Sequence, residues 1–143
     1  MTVKSAERAL GVLRAVARSQ PTSMPELRRE LDIPRSSLHG LMAVLVEQGF
    51  IHLDDAGRLS VGLGAFEVGS AWLETTSLES AAAPVLAALV DDVDQIAHVA
   101  VLEGTEIVYV LKQENASPVR LVSAVGKRLP AHTTAVGKAL LGS

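Results

Sequence analysis

From Ser23 to Gly49 the chain reads SMPELRRELDIPRSSLHGLMAVLVEQG, two apolar stripes separated by a forced break. Met24, Leu27 and Leu31 recur at i, i+3 and i+7, the spacing of one helix face. Ser23 and Glu26 fit an S-x-x-E capping box for that helix. Asp32-Ile33-Pro34 ends it, because the residue before a proline is pushed out of the α region. Leu38, Leu41, Met42 and Leu45 then form a second stripe, and Gly49 suits a left-handed C-cap. The opposite face of the second helix opens with Arg35, Ser36, Ser37 and His39, all hydrogen-bonding groups. An apolar side for docking and polar groups for base edges are what a helix-turn-helix needs. A helical bundle with an ordinary solvated face is the plainer alternative.

The flanks favour the helix-turn-helix. Upstream, Ser5 can cap a helix with Ala9, Leu13, Val16 and Ala17 as its apolar positions, completing a three-helix core. Downstream, Phe50 to Leu53 reads as a strand, Asp54-Asp55-Ala56-Gly57 as a turn, and Arg58 to Val61 as the returning strand. Such a hairpin is marginal in water and must pack on the helices. The pattern is a winged helix-turn-helix, with Arg58 placed to reach a phosphate or the minor groove. The plainer role for Arg58 is a surface pair with Asp54 or Asp55.

At 143 residues and 48% apolar composition, the chain can bury one or two small cores. It lacks a run of about 18 apolar residues and the apolar stretch of a signal peptide, so a cytoplasmic protein with no membrane partner is expected. With no cysteine, disulfides and thiolate metal sites are excluded. The net charge of −3 does not advertise a general nucleic-acid binder. Residues 1–60 hold eight Lys/Arg against seven Asp/Glu, whereas residues 61–143 hold five against nine. Any DNA binding must therefore depend on local placement of charge rather than on a broad positive field.

Beyond Gly62-Leu63-Gly64 a helical pattern resumes through Phe66, Val68, Trp72 and Leu73. This is the natural linker, and its large apolar residues need a partner, either the winged helix or a second copy; Phe66 and Trp72 are candidate anchors of such a dimer seam. Leu78 to Val90 reads as another helix, with Leu78, Ala82, Val85, Leu86 and Leu89 on one side; Pro84 should kink it or mark its first turn. The period then becomes two. Ala97 to Leu102 and Ile107 to Leu111 form an antiparallel hairpin around Glu103-Gly104-Thr105. Val119 to Val122 reads as a third strand, Gly126 to Pro130 as a loop, and Ala135 to Leu141 as a helix.

These pieces, in this order, resemble the IclR family of transcriptional regulators. The resemblance rests on SAERALGVLRAV, LDIPRSSLHGLMAVLVEQGFI, GRLSVGLGAFEVGSAW, the hairpin His98 to Leu102 with Glu106 to Lys112, and VGKRLPAHTTAVGKALL. It implies an α+β chain divided into a winged helix-turn-helix (1–62), a linker helix (63–77) and the opening part of a GAF-like effector domain (78–143). The expected partners are promoter DNA, a second copy of the chain (four copies were the sensory domain complete) and a small organic or aromatic acid. The expected DNA-binding set is Arg35, Ser36, Ser37, His39, Gly40 and Arg58, with Ser23 supporting it from the first helix. Gly40 stands where the family often has arginine, so close backbone approach would replace a side-chain contact. The resemblance also sets Leu129, Ala131, His132, Thr133 and Thr134 beside the effector. A plain N-cap by Thr133 or Thr134 is the local alternative. Family members continue past the Gly137-Lys138 motif, so weak or absent effector binding is expected of this chain.

Other chemistries fail on their residues. Gly137-Lys138 is not a P-loop, since His132 and Ala139 occupy its required positions. Gly62 and Gly64 are not a dinucleotide fingerprint, with Glu67 at the third glycine. His39, His52, His98 and His132 lack metal-ligand spacing, and Asp91, Asp92 and Asp94 read as a solvated turn. No catalytic grouping, metal site or cofactor is expected. A dimerisation or ligand-binding module that no longer recognises DNA is the competing function.

Overall fold

The computed structural model describes residues 3–115 and 125–142, and the chain divides into two compact units between Glu74 and Thr75. The first unit carries three helices, α1 (Lys4–Ser19), α2 (Met24–Glu30) and α3 (Arg35–Glu47), then β1 (Ile51–Leu53) and β2 (Leu59–Val61). A further helix, α4 (Leu63–Thr76), runs on through the unit boundary.

The core of the first unit joins Val12, Ala15 and Val16 of α1, Leu27 of α2, Leu38, Met42 and Leu45 of α3, Ile51 and Leu59. The stripes expected for α2 and α3 therefore face inward, with Met24, Leu31 and Leu41 half-buried around them. The α1 face is rotated from expectation. Val12 and Ala15 are buried beside Val16, whereas Ala17 is exposed. Ser5 does not cap α1, which begins at Lys4 after Val3 without a side-chain cap. Gly49 adopts φ +72° and ends α3. The Gly49 N–H donates to Val46 O at 3.0 Å and the Phe50 N–H to Leu45 O at 2.8 Å, the paired bonds of a Schellman motif.

The wing strands pair antiparallel with Ile51 opposite Val61 and Leu53 opposite Leu59. Asp54 builds its turn, its carboxylate accepting from the Ala56 and Arg58 N–H groups at 3.0 and 2.7 Å. The open edge of β2 is also used: Thr22 and Leu59 exchange backbone hydrogen bonds of 3.0 and 2.8 Å.

In the second unit, α5 (Leu78–Val93) begins after Ser77, a left-handed residue with φ +47°. Pro84 lies inside α5 rather than at its first turn. Leu86 and Val90 are the buried residues of α5, which packs on β3 and β4; Val85 and Leu89, expected on the inner side, are exposed. β3 (Ala97–Glu103) and β4 (Glu106–Gln113) form the expected hairpin, with a bulge between Val99 and Ala100. The segment expected as a loop contributes a strand instead: β5 (Arg128–Pro130) pairs antiparallel with β4, Leu129 opposite Ile107. The expected strand Val119 to Val122 lies outside the described residues. A short 3-10 turn (Ala131–Thr133) leads into α6 (Ala135–Leu141). The fold is thus α+β, helices and a wing followed by a small antiparallel sheet. Among the described residues no helix is long and apolar enough to cross a membrane.

Candidate nucleic-acid interface and effector loop

Helix α3 is seated on the core through Leu38, Met42 and Leu45, which fixes what its other side presents. Arg35, Ser36, His39 and Gly40 are exposed there, and Ser37 is half-buried. Arg35 is the first residue of α3 and takes part in none of the ion pairs among the described residues, so its guanidinium fork is available. Pro34 is the N-cap and provides no side-chain cap bond, leaving the first N–H groups of α3 unclaimed by a side chain. A helix start of this kind attracts phosphate. Gly40 has no heavy atom within 4 Å of where a Cβ would sit, so its backbone lies open.

Two groups were not among the sequence expectations. Ala43 and Val44 continue the exposed side of α3 one turn beyond His39 and Gly40. Methyl groups there match the thymine methyl as a contact. Arg28 and Arg29, in the last turn of α2, are also exposed. The available signal was their adjacency just before the helix break.

Ser23 and Arg58 are engaged with the protein itself. Ser23 is the N-cap of α2 but does not close a capping box; its hydroxyl donates to Glu26 Oε2 at 2.8 Å instead of accepting from the backbone. Arg58 pairs with neither Asp54 nor Asp55. Its guanidinium donates to the Pro21 carbonyl and lies 3.5 Å from Glu26 Oε2. Two hydroxyl hydrogen bonds, from Ser23 and then Thr22, hold the Glu26 carboxyl below the ordinary glutamate range, and Arg58 adds to this.

In the second unit, the segment Leu129 to Thr134, from the end of β5 through the 3-10 turn, is tied to the hairpin tip. Arg128 bridges Glu103 and Glu106, and the Ala131 N–H donates to Thr105 O at 2.9 Å. Leu129 is half-buried and Ala131 buried, while His132 and Thr133 are exposed. The Thr133 hydroxyl donates to Pro130 O at 2.8 Å. Thr134 is the N-cap of α6, accepting from the Gly137 N–H at 3.0 Å, so the N-cap alternative holds for its hydroxyl. Gly137 is buried with its backbone against Ala131, and a Cβ there would collide with the Ala131 carbonyl. On the sheet, the rings of His98 and Tyr109 lie 5.0 Å apart, tilted at 56°; burial first, and Lys112 second, push the His98 pKa down.

On α4, Phe66 is 67% and Trp72 43% exposed, and none of its residues is buried.

Comparison with known proteins gives this geometry its context. The family model for the IclR helix-turn-helix domain matches residues 5–55, and that for the bacterial transcriptional regulator IclR C-terminal domain matches residues 70–143. The transcriptional repressor AllR of Klebsiella pneumoniae is 34% identical over 137 residues, covering 94% of this chain and 50% of its own length. The transcriptional regulator KipR of Bacillus subtilis is 28% identical over 138 residues, covering 96% of this chain and 55% of KipR. The chain thus spans about half the length of the curated relatives it matches. Among solved structures, Pseudomonas aeruginosa HmgR superposes with a TM-score of 0.77 at 29% identity, over 96% of this chain and 60% of HmgR. Two family models that together take in both units, and relatives named as transcriptional regulators rather than enzymes, agree: the chain belongs to the IclR family of bacterial transcriptional regulators.

Proposed function

We propose that the chain is a sequence-specific DNA-binding regulator acting in the cytoplasm, with α3 as the helix that enters the major groove. The observation that carries this is the division of α3: Leu38, Met42 and Leu45 locked into the core, and Arg35, Ser36, His39 and Gly40 exposed on the other side. Arg35 contacts a guanine edge or a phosphate, Ser36, Ser37 and His39 add smaller polar contacts, and Gly40 admits the duplex backbone closely. Ser23 serves by supporting α2. The division of labour is 1–62 for DNA, 63–77 as linker, and 78–143 as part of a GAF-like effector domain. The test is a titration against DNA selected from a random library, at two salt concentrations. Preference for one sequence supports the proposal. Equal, weak binding to all DNA favours a module that has lost recognition, and the modest basic excess of residues 1–60 makes that the reading to defeat.

Dimerisation through α4 fits the exposed Phe66 and Trp72 and would set two copies of α3 about one helical turn of DNA, or a multiple of it, apart. Sedimentation at micromolar concentration, with and without Phe66→Ala, decides it; a strict monomer that still binds its site tightly contradicts it. Effector binding at Leu129, Ala131, His132, Thr133 and Thr134 draws support from the family. Thr133 and Thr134 already spend their hydroxyls within the loop, which leaves His132 as the outward polar group. A relative of the same fold from Microbacterium hydrocarbonoxydans, 23% identical, was solved in complex with 4-hydroxybenzoate, so that acid is a sensible first probe by calorimetry.

A further inference from the structure

The wing is attached to the turn before α2 at three successive points. Thr22, buried to 2% exposure, exchanges backbone hydrogen bonds with Leu59, lending β2 a partner on its open edge. Beyond it, the Val61 N–H donates to Gln20 Oε1 at 2.9 Å. Towards the wing's tip, the Arg58 guanidinium binds the Pro21 carbonyl and faces Glu26. Glu26 is in turn fixed by the hydroxyls of Ser23 and Thr22 at 2.8 and 3.1 Å. The bonds of Leu59, Val61 and Arg58 all run from the wing to residues 20–26, and the two hydroxyl bonds to Glu26 brace that segment from within.

We propose that Arg58 is a positioning residue that latches the wing to the turn before α2 through Pro21, and to the first turn of α2 through Glu26, rather than a DNA-phosphate contact. The physical case begins with the hairpin. Three paired positions are too few for a two-stranded ribbon to stand alone in water. The third edge lent by Thr22 supplies pairing, and Arg58 secures it on the tip side. With the Pro21 carbonyl on one terminal nitrogen and the Glu26 carboxylate beside the other, part of the Arg58 fork is already spent, so a phosphate would compete with the latch. Only the DNA half of the test rests on the proposed function.

The first measurement is amide hydrogen exchange on the 143-residue chain, on Arg58→Ala and on Glu26→Gln. Both variants should speed exchange at Thr22 and Leu59 by about fivefold to tenfold, the worth of a modest surface ion pair and hydrogen bond, and leave α3 unchanged. Unchanged exchange at Thr22 and Leu59 in both variants would overturn the latch, and so would loss of protection spread evenly through α3. The second measurement is the salt dependence of DNA binding. A latch predicts weaker specific binding in both variants with an unaltered slope of log K against log salt. A phosphate contact predicts the opposite pattern: Arg58→Ala flattens the slope by about 0.9 per protomer, while Glu26→Gln frees the guanidinium and steepens it. That pattern would overturn the proposal. If the unaltered chain shows no sequence preference, the proposed function fails, and the exchange data still decide the latch.

Discussion

The two units bury their apolar residues to different extents, and each leaves its candidate site with a different kind of support. In the first, nine buried residues drawn from five elements form one cluster, so α3 is held firmly and its polar side is presented as a rigid surface. In the second, α5 buries Leu86 and Val90 while Val85, Leu89 and Val93 stay exposed. There the candidate loop is held by local polar bonds and close backbone approach: Arg128 with Glu103 and Glu106, Thr134 on the Gly137 N–H, Gly137 against Ala131. A site built on packing can leave its polar groups unspent, whereas one built from its own hydroxyls has fewer left for a ligand.

The sharpest challenge to this contrast is a pair of truncations. Leu38→Ala, at a fully buried position, should destabilise the first unit by about 2–5 kcal/mol in urea unfolding. Val85→Ala, on the exposed side of α5, should stay within about 0.5 kcal/mol. Similar losses at both sites would erase the distinction. Next come two glycines. Gly137→Ala drives a Cβ into the Ala131 backbone, which cannot swing aside, and should lower stability by about 1–3 kcal/mol. Gly40→Ala meets nothing within 4 Å and should raise stability by about 1 kcal/mol, the usual helix gain. If Gly40 admits DNA closely, the same variant should bind its site less well despite being more stable. Equal or tighter binding would remove Gly40 from the interface.

The smallest effect expected is a pH dependence in the second unit. Burial lowers the His98 pKa, so the unfolded chain binds the proton more readily and stability rises with pH. That contribution is intact above the ordinary histidine value of about 6.5 and is lost as pH falls through it toward the lowered folded value. Thermal unfolding at about pH 7.5 and pH 5 should show the loss in the unaltered chain and a smaller one in His98→Asn; identical profiles would discount it.

How much of this was legible in the sequence follows the same division. The α2 and α3 stripes were readable because apolar residues occupy one face and Pro34 forces the break. The α1 face was not, because Leu10, Val12, Leu13, Ala15, Val16 and Ala17 surround the helix and only packing against α3 and β2 selects among them. The inner side of α5 was lost for the same reason in an alanine-rich helix. β5 was missed because three residues, one of them proline, carry little strand signal of their own; pairing with β4 makes them a strand. For the candidate interface, the outward face of Arg35, Ser36 and His39 was readable from helical spacing, which also picked out the half-buried Ser37; Gly40 entered through the family resemblance. The partners of Arg58 were not, since Pro21 and Glu26 lie more than thirty residues away in sequence.

The central claim is that α3 reads DNA through its exposed N-terminal turns, and Arg35→Ala tests it most directly. Binding to the preferred sequence and to an unrelated duplex should be compared at one fixed salt concentration. The account predicts a loss of about 1–3 kcal/mol on the preferred sequence, a smaller loss on the unrelated duplex, and unchanged unfolding stability. Undiminished affinity and undiminished preference in a folded Arg35→Ala chain would contradict it.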